Sequence, residues 1–274
     1  MPELPEVETV RRTLVNKIAG EVIAGVDVRF PGCIGNMEPE AFEEKVKGRA
    51  MRGVERRGKY LLVRLDDGAI LLVHLRMTGR LTAPDQEGDD GDERYLRMAF
   101  LFASGRRLCF HDVRKFGRVE WHKDDAALDA RLRIGPDPTS GSFGPDTLAR
   151  IAAGRKRPIK SLLMDQALIG GLGNIYADEA LHRAGIAPER RADGLAREEV
   201  EQLCLRMQEV LLEGIEHKGT SLRDYVDGDG RPGAFQERLR VYGRAGKPCI
   251  ACGEPIRRIK IGGRSSFFCP RCQA

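Results

Sequence analysis

The segment CIACGEPIRRIKIGGRSSFFCPRC, residues 249–272, decides how the C-terminal part of this chain is built. Two C-x2-C pairs, Cys249/Cys252 and Cys269/Cys272, flank the stretch 253–268. That is the spacing of a four-cysteine zinc site: each C-x2-C turn brings two thiolates to one ion, and the excursion between them is long enough for a β-hairpin. Four thiolates leave no open position for water, so one Zn2+ per chain is expected, with a structural role. Paired disulfides are the alternative, and a reducing cytosol disfavours them. The ion staples a hairpin too small to bury a core of its own.

The hairpin lies in the most basic part of the chain. Residues 231–274 carry ten Lys or Arg against two acids, a net +8, while the 274-residue chain as a whole is only +5 and its first 230 residues sum to −3. A basic tail on a near-neutral body points to a polyanionic partner. With 41% hydrophobic and 32% charged residues the composition is that of a soluble globular protein, of a length that suits about two domains. No run of about 18 apolar residues is present, which excludes a membrane-spanning helix. The start, MPELPEVETV, has acids and prolines where a signal peptide needs a basic and then an apolar stretch, so a cytoplasmic location is expected. Cys33, Cys109 and Cys204 sit in apolar or helical contexts and read as small buried hydrophobes.

Further upstream the pattern divides. Val7, Val10, Leu14 and Ile18 recur at helical spacing over 2–18, with Glu3, Glu6 and Glu8 in the opening turns where acids suit the helix dipole. The runs 21–30, 60–65, 69–75, 95–103 and 106–112 have the apolar, β-branched character of strands, joined in part by Asp66-Asp67-Gly68 and Ser104-Gly105 turns. They predict an antiparallel β-sandwich or barrel. Residues 84–94, PDQEGDDGDER, read as a solvated acidic loop whose charge would repel DNA. The GPDP and SGSFGPD stretches within 123–148 read as an interdomain linker. Helices are expected over 161–169, 175–186 and 196–217, and the polar, glycine-rich stretch 220–235 reads as mobile. The fold class expected is α+β: an N-terminal β-sandwich with flanking helices over 1–135, a linker at 136–150, a helical domain at 151–235 and the zinc hairpin at 236–274.

Two motifs carry chemistry. Gly170-Gly171-Leu172-Gly173-Asn174 between two helices lets the backbone turn closely and aims the N–H groups of a helix start at an anion, with the Arg155-Lys156-Arg157 run nearby. At the N-terminus, removal of Met1 would leave Pro2 with a free secondary amine. An α-amino group titrates near pH ~8, far below a lysine at ~10.4, so a fair fraction is nucleophilic at neutral pH. Glu3 stands beside it to donate or accept a proton.

PELPEVETV, RRGKYL around Lys59, HLRMTGRL (74–81), DVRKFGR (112–118), GLGNIYADEALHRAGI (171–186) and the ending RSSFFCPRCQ (264–273) occur together and in order. The whole chain thereby resembles the bacterial formamidopyrimidine-DNA glycosylase family, which excises 8-oxoguanine and ring-opened purines from DNA in base excision repair. The resemblance implies a monomeric, bifunctional glycosylase and abasic-site lyase whose partner is double-stranded DNA carrying oxidised purines or abasic sites. It implies that the helical domain is of the helix-two-turn-helix type. By the same likeness Pro2 attacks C1′, Glu3 is the acid, Glu6 supports that end of the helix and Lys59 contacts the target phosphate. Met77, Arg114 and Phe116 match the residues that fill the gap left by the extruded base. A pliable Met and a flat Phe suit a wedge, and an Arg suits the orphaned cytosine. His74, Lys156, Asn174, Tyr242 and Arg264 align with phosphate contacts, and Arg264 also belongs to the catalytic group. Thr220, Ser221, Arg223 and Tyr225 match the loop that caps the extruded base. Position 78 is Thr where some relatives carry a larger polar residue, and no role is assigned to it. Two other readings remain. An endonuclease VIII-type glycosylase for oxidised pyrimidines shares the Pro-Glu start and the zinc hairpin, but Leu4 and the Met77/Arg114/Phe116 set favour the purine enzyme. A non-catalytic zinc-hairpin DNA-binding protein would leave the N-terminal motifs unexplained.

Overall fold

The structure, a computed structural model, describes residues 1–84, 92–222 and 224–274. Arg223 and most of the acidic stretch 84–94 lie outside the described residues. The chain folds as two compact units: Met1–Arg133 with His217–Gln236, and Ile134–Glu216 with Glu237–Ala274.

In the first unit, helix α1 (Leu4–Ile18) precedes β1 (Ile23–Val28), α2 (Pro39–Val46), the strands β2 (Met51–Arg57), β3 (Tyr60–Leu65), β4 (Ile70–His74), β5 (Gly79–Thr82), β6 (Leu96–Phe102), β7 (Arg107–Asp112) and β8 (Arg118–His122), and helix α3 (Asp125–Arg131). The strands form two four-stranded antiparallel sheets, ordered β1-β6-β7-β5 and β2-β3-β4-β8. Between them lies a core that includes Leu61, Val63, Leu71, Val73, Met98, Phe100, Leu108 and Phe110, joined by Val7, Val10, Leu14 and Ile18 from the apolar stripe of α1. This is the expected sandwich. Strands β2, β5 and β8 and helix α2 were not anticipated, because short segments such as Met-Arg-Gly-Val-Glu-Arg-Arg are largely polar, and strand pairing rather than apolar content makes them strands. The expected linker is also more ordered than its prolines suggest. Asp124 caps α3 by accepting the Ala127 N–H at 2.8 Å, and α4 (Pro145–Ala152) starts on Pro145.

The segment 217–236 belongs to this first unit, not to the helical domain where its place in the sequence suggests it, and it has firm anchors. Phe235 is fully buried and Tyr225 joins the sandwich core. Gly228 N–H donates to Thr13 Oγ1 at 2.8 Å, Asp229 pairs with Lys17 at 2.7 Å, and Ala83 N–H donates to Gly228 O at 3.1 Å. A run of polar and glycine residues looks mobile in one dimension. Here α1 supplies the partners that its sequence neighbours do not.

The second unit holds α4, α5 (Ile159–Leu163), α6 (Asn174–Ala184), α7 (Arg197–Glu216) and the hairpin β9 (Arg257–Ile261) and β10 (Arg264–Phe268). Helix α5 ends six residues before the expected 169. There Asp165 and Gln166 bind backbone with their side chains, Asp165 accepting Ala167 N–H and Gln166 bridging Gly171 N–H and Leu172 O, and such bonds compete with a helix. Helix α6 closes on Gly185 in the left-handed conformation.

Two buried carboxylates of α6 hold the hairpin module. Asp178 pairs with Lys160 at 2.7 Å and accepts Phe267 N–H at 2.9 Å, while Lys160 also donates to Ser265 O and Ser266 Oγ. Glu179 accepts the N–H groups of Arg240, Val241 and Tyr242. Burial pushes both carboxyls upward, and these partners oppose it. Lys160→Met would strand a buried charge on Asp178 and is expected to cost about 3–5 kcal/mol, with K160M/D178N costing clearly less. Native-state hydrogen exchange at the Ser265–Phe268 amides measures both, and equal losses would remove the ion pair as the cause.

Candidate nucleic-acid interface and active site

The N-terminal motif folds as a helix start. Leu4 and Pro5 open α1, and the extended Glu3 precedes it. Glu3 and Pro2 are buried. Glu6 uses its two carboxylate oxygens on two different segments: Oε2 accepts Glu3 N–H at 2.7 Å and Oε1 accepts Thr220 N–H at 2.7 Å. Tyr225 Oη donates to Glu6 O at 3.2 Å, and burial pushes its phenol up. Gly219 sits at φ +81°, and a Cβ there would come within 2.8 Å of Glu6 Cγ, so only glycine lets the chain pass this carboxylate. Pro2, Glu3, Glu6, Thr220 and Tyr225 therefore share one locality. Ser221 seats the same segment by donating from Oγ to Tyr225 O and accepting Gly233 N–H.

Lys59 occupies the β2–β3 turn beside Gly58, yet it is only 5% exposed, unlike an ordinary turn lysine. His74, at the end of β4, is 8% exposed. Burial, with the charges of Arg76 and Lys59 added, holds its imidazole down at about 3. His74 is thus neutral at physiological pH. Its Nδ1 accepts Arg76 N–H at 2.9 Å, which places the ring proton on Nε2 as a donor. The ring packs edge-on against Tyr60 at 4.4 Å.

Met77, Arg114 and Phe116 come from two turns, β4–β5 and β7–β8, and meet. Arg114 lies over the Phe116 ring at 4.7 Å, with a guanidinium nitrogen 3.1 Å from Met77 Sδ. Met77 is 46% and Phe116 47% exposed, an expensive display of apolar surface for residues with no structural duty. Asp112, which sequence reading missed, organises both turns by accepting Thr78 Oγ1–H at 2.5 Å, Arg114 N–H at 3.1 Å and Gly117 N–H at 2.7 Å. Thr78 thereby has a job, as a clasp on Asp112. Gly79 is required there, because a Cβ would lie 2.3 Å from Leu75 O. Glu8, in the opening turns of α1, sits among Arg11, Arg12 and Arg56. Burial would raise its carboxyl, but hydrogen bonds from Arg11 and Arg12 and the charge of Arg56 outweigh that and hold it at about 2.

In the second unit Lys156 is exposed, while its neighbours are spent internally: Arg155 donates to Ile151 O and Arg157 to Asp165. Asn174 Nδ2 donates to Ser265 O at 3.0 Å, so part of its donor capacity fixes the hairpin. Tyr242 stacks edge-on against Phe267 at 5.2 Å, and Arg264 stands exposed at the start of β10. The four cysteine sulfurs lie within 4.8 Å of one another, with Cys252–Cys269 at 3.4 Å and Cys249–Cys272 at 3.9 Å. Zn–S bonds of about 2.3 Å in a tetrahedron need S···S near ~3.8 Å, so the set fits one structural zinc ion. Cys33, Cys109 and Cys204 are buried, and burial raises their thiols, which suits inert packing.

Comparison with known proteins places this sandwich and its four-cysteine hairpin among the zinc-finger DNA glycosylases of base excision repair. Residues 1–119 match the model for the formamidopyrimidine-DNA glycosylase N-terminal domain, 134–226 that for its H2TH domain, and 246–274 that for the zinc finger found in FPG and IleRS. A formamidopyrimidine-DNA glycosylase of Desulfitobacterium hafniense is 46% identical with all of both chains covered, and that of Moorella thermoacetica 50% with 95% of each covered. A Lactococcus lactis enzyme solved with Fapy-dG-containing DNA superposes with TM-score 0.92 at 36% identity over 99% of both chains. The Thermus thermophilus protein gives 0.88 at 42% identity, covering 99% of this chain and 98% of that one. The chain belongs to the formamidopyrimidine-DNA glycosylase family, whose members couple glycosylase and lyase activity.

The depressed Glu8 carboxyl gives a pH signature. Its contribution to stability is complete above about pH 4.5 and declines as pH falls toward about 2. Glu8→Gln should therefore be less stable than wild type at pH 6, with the gap closing over that window. Urea unfolding followed through Trp121, the chain's one tryptophan, tests it, and a gap constant from pH 6 to 2.5 would refute it.

Proposed function

We propose that this chain removes oxidised purines (8-oxoguanine and formamidopyrimidines) from duplex DNA, with Pro2 as nucleophile and Glu3 as acid. The observation that carries the reading is the double use of Glu6, which ties the helix start bearing Pro2 and Glu3 to the segment 219–225 that caps the base. Nucleophile and cap are thereby one assembly.

After Met1 is removed, the Pro2 nitrogen lone pair forms a bond to C1′. The C1′–base bond breaks and the proton of the Pro2 amine passes to the departing base. Glu3 then gives its proton to the ring oxygen as the C1′–O bond opens, which leaves an iminium between Pro2 and C1′. That electron sink acidifies the 2′ position. Loss of a 2′ proton expels the 3′ phosphate, and a second elimination expels the 5′ phosphate. Lys59 neutralises a phosphate beside the reacting sugar, and neutral His74 offers Nε2–H to another. Lys156, the second N–H of Asn174, the Tyr242 hydroxyl and Arg264 hold the backbone, with the N–H groups that open α6. Met77 and Phe116 enter the stack while Arg114 meets the orphaned cytosine. Thr220, Ser221, Arg223 and Tyr225 cap the extruded base. The roles follow the compact units: Met1–Arg133 with the capping segment His217–Gln236 is catalytic, Ile134–Glu216 binds DNA, and Glu237–Ala274 carries the zinc finger. The enzyme acts as a monomer in the cytoplasm, at the nucleoid when bound.

Borohydride added during turnover on 8-oxoguanine duplex should crosslink the N-terminal peptide to DNA, and an N-terminal tag or retained Met1 should abolish this, because an amide nitrogen is no nucleophile. Glu3→Gln should release base at least 100-fold more slowly while still being trapped on an abasic site. Trapping at Lys59 with Pro2 unmodified would overturn the assignment.

Phe116→Ala should slow excision from duplex at least ten-fold while leaving cleavage of a ready-made abasic site within about two-fold, since no base then needs extruding. Single-turnover rates on the two substrates decide it.

A further inference from the structure

We propose that His182 is a hydrogen-bond donor to the zinc-bound thiolate of Cys249, and that it slows loss of the metal. His182 stands in the last turn of α6, and its Nε2 lies 3.6 Å from Cys249 Sγ, an N–H···S distance. Both residues are buried. The other ring nitrogen, Nδ1, is buried without a hydrogen-bond partner. Cys249 as a zinc ligand is a thiolate and can only accept, so the imidazole proton resides on Nε2.

The arrangement completes a row on one helix. Asp178 takes the amide of β10, Glu179 takes the amides leading into the first C-x2-C turn, and His182 reaches a metal ligand directly. Just beyond, Ala274 N–H donates to Gly185 O and Gln273 Nε2–H to Ile186 O, so the chain end after Cys272 is fastened to the same helix terminus. Four thiolates around Zn2+ carry a net −2 charge in a mostly buried site. A donor to one sulfur disperses part of that charge and fixes the direction of the Cys249 lone pairs, the usual work of a group just outside the ligand set. His182 is a positioning residue for the metal and touches no substrate.

The full-length zinc protein is tested with the chelator 4-(2-pyridylazo)resorcinol. His182→Phe keeps an aromatic ring without a donor and should lose zinc at least ten-fold faster, while His182→Gln, which restores an N–H, should recover most of the difference. The cadmium-substituted wild-type protein should show a scalar coupling between 113Cd and the His182 Hε2 proton, a readout that needs no variant to fold. Its 113Cd resonance should move in H182F and return part way in H182Q. Unchanged release and an unmoved resonance overturn the proposal. So does a lower thermal midpoint with no spectroscopic change, which would mean packing alone. A wild-type 113Cd shift typical of three sulfurs and one nitrogen also overturns it, because His182 would then be a ligand.

Discussion

A buried carboxylate with two clients, Glu6, organises the N-terminal end of this protein. Glu6 has no bulk water to satisfy it, so each oxygen must find a donor in the chain. One finds the amide of Glu3, which fixes the extended residue ahead of α1. The other finds the amide of Thr220, more than two hundred residues later. The requirement dictates Gly219 alongside, and with Tyr225 bonded to the Glu6 carbonyl it makes the capping segment part of the sandwich. The helix start that carries Pro2 and Glu3 is thereby held in a fixed relation to the backbone at Thr220.

In the second unit the same logic runs through α6. A hairpin closed by a metal has almost no core, and its own cluster is little more than Val241, Ile256 and the cysteines. It must therefore be attached as well as folded. Asp178, Glu179 and His182 provide that attachment at successive levels of one helix, and Lys160 balances the charge. A consequence is that Arg264, exposed on β10, and the glycine turn that opens α6 are tied into one unit.

The exposed trio works by the opposite rule. Met77 and Phe116 remain in solvent because Asp112, Gly79 and the left-handed Arg76 and Lys115 stiffen the two turns that carry them. Turns that are set in advance hold these side chains in place without further ordering.

Much of this was legible in one dimension. The cysteine spacing determined the zinc site, because coordination geometry tolerates few spacings. Apolar alternation determined the central strands, and the helical stripe of Val7, Val10, Leu14 and Ile18 determined α1. The family motifs pointed to Pro2, Glu3 and the wedge. Propensity could not reveal the polar strands β2, β5 and β8, which exist through pairing, nor the early end of α5, where Asp165 and Gln166 take the backbone for themselves. It could not reveal that 217–236 returns to the sandwich, that Asp112 organises two turns, or that Asp178, Glu179 and His182 reach the hairpin. Local periodicity and ligand spacing are written in neighbouring residues. The partner of a buried charge is chosen by whatever distant segment folding brings within about 3 Å, and only the tertiary structure decides that.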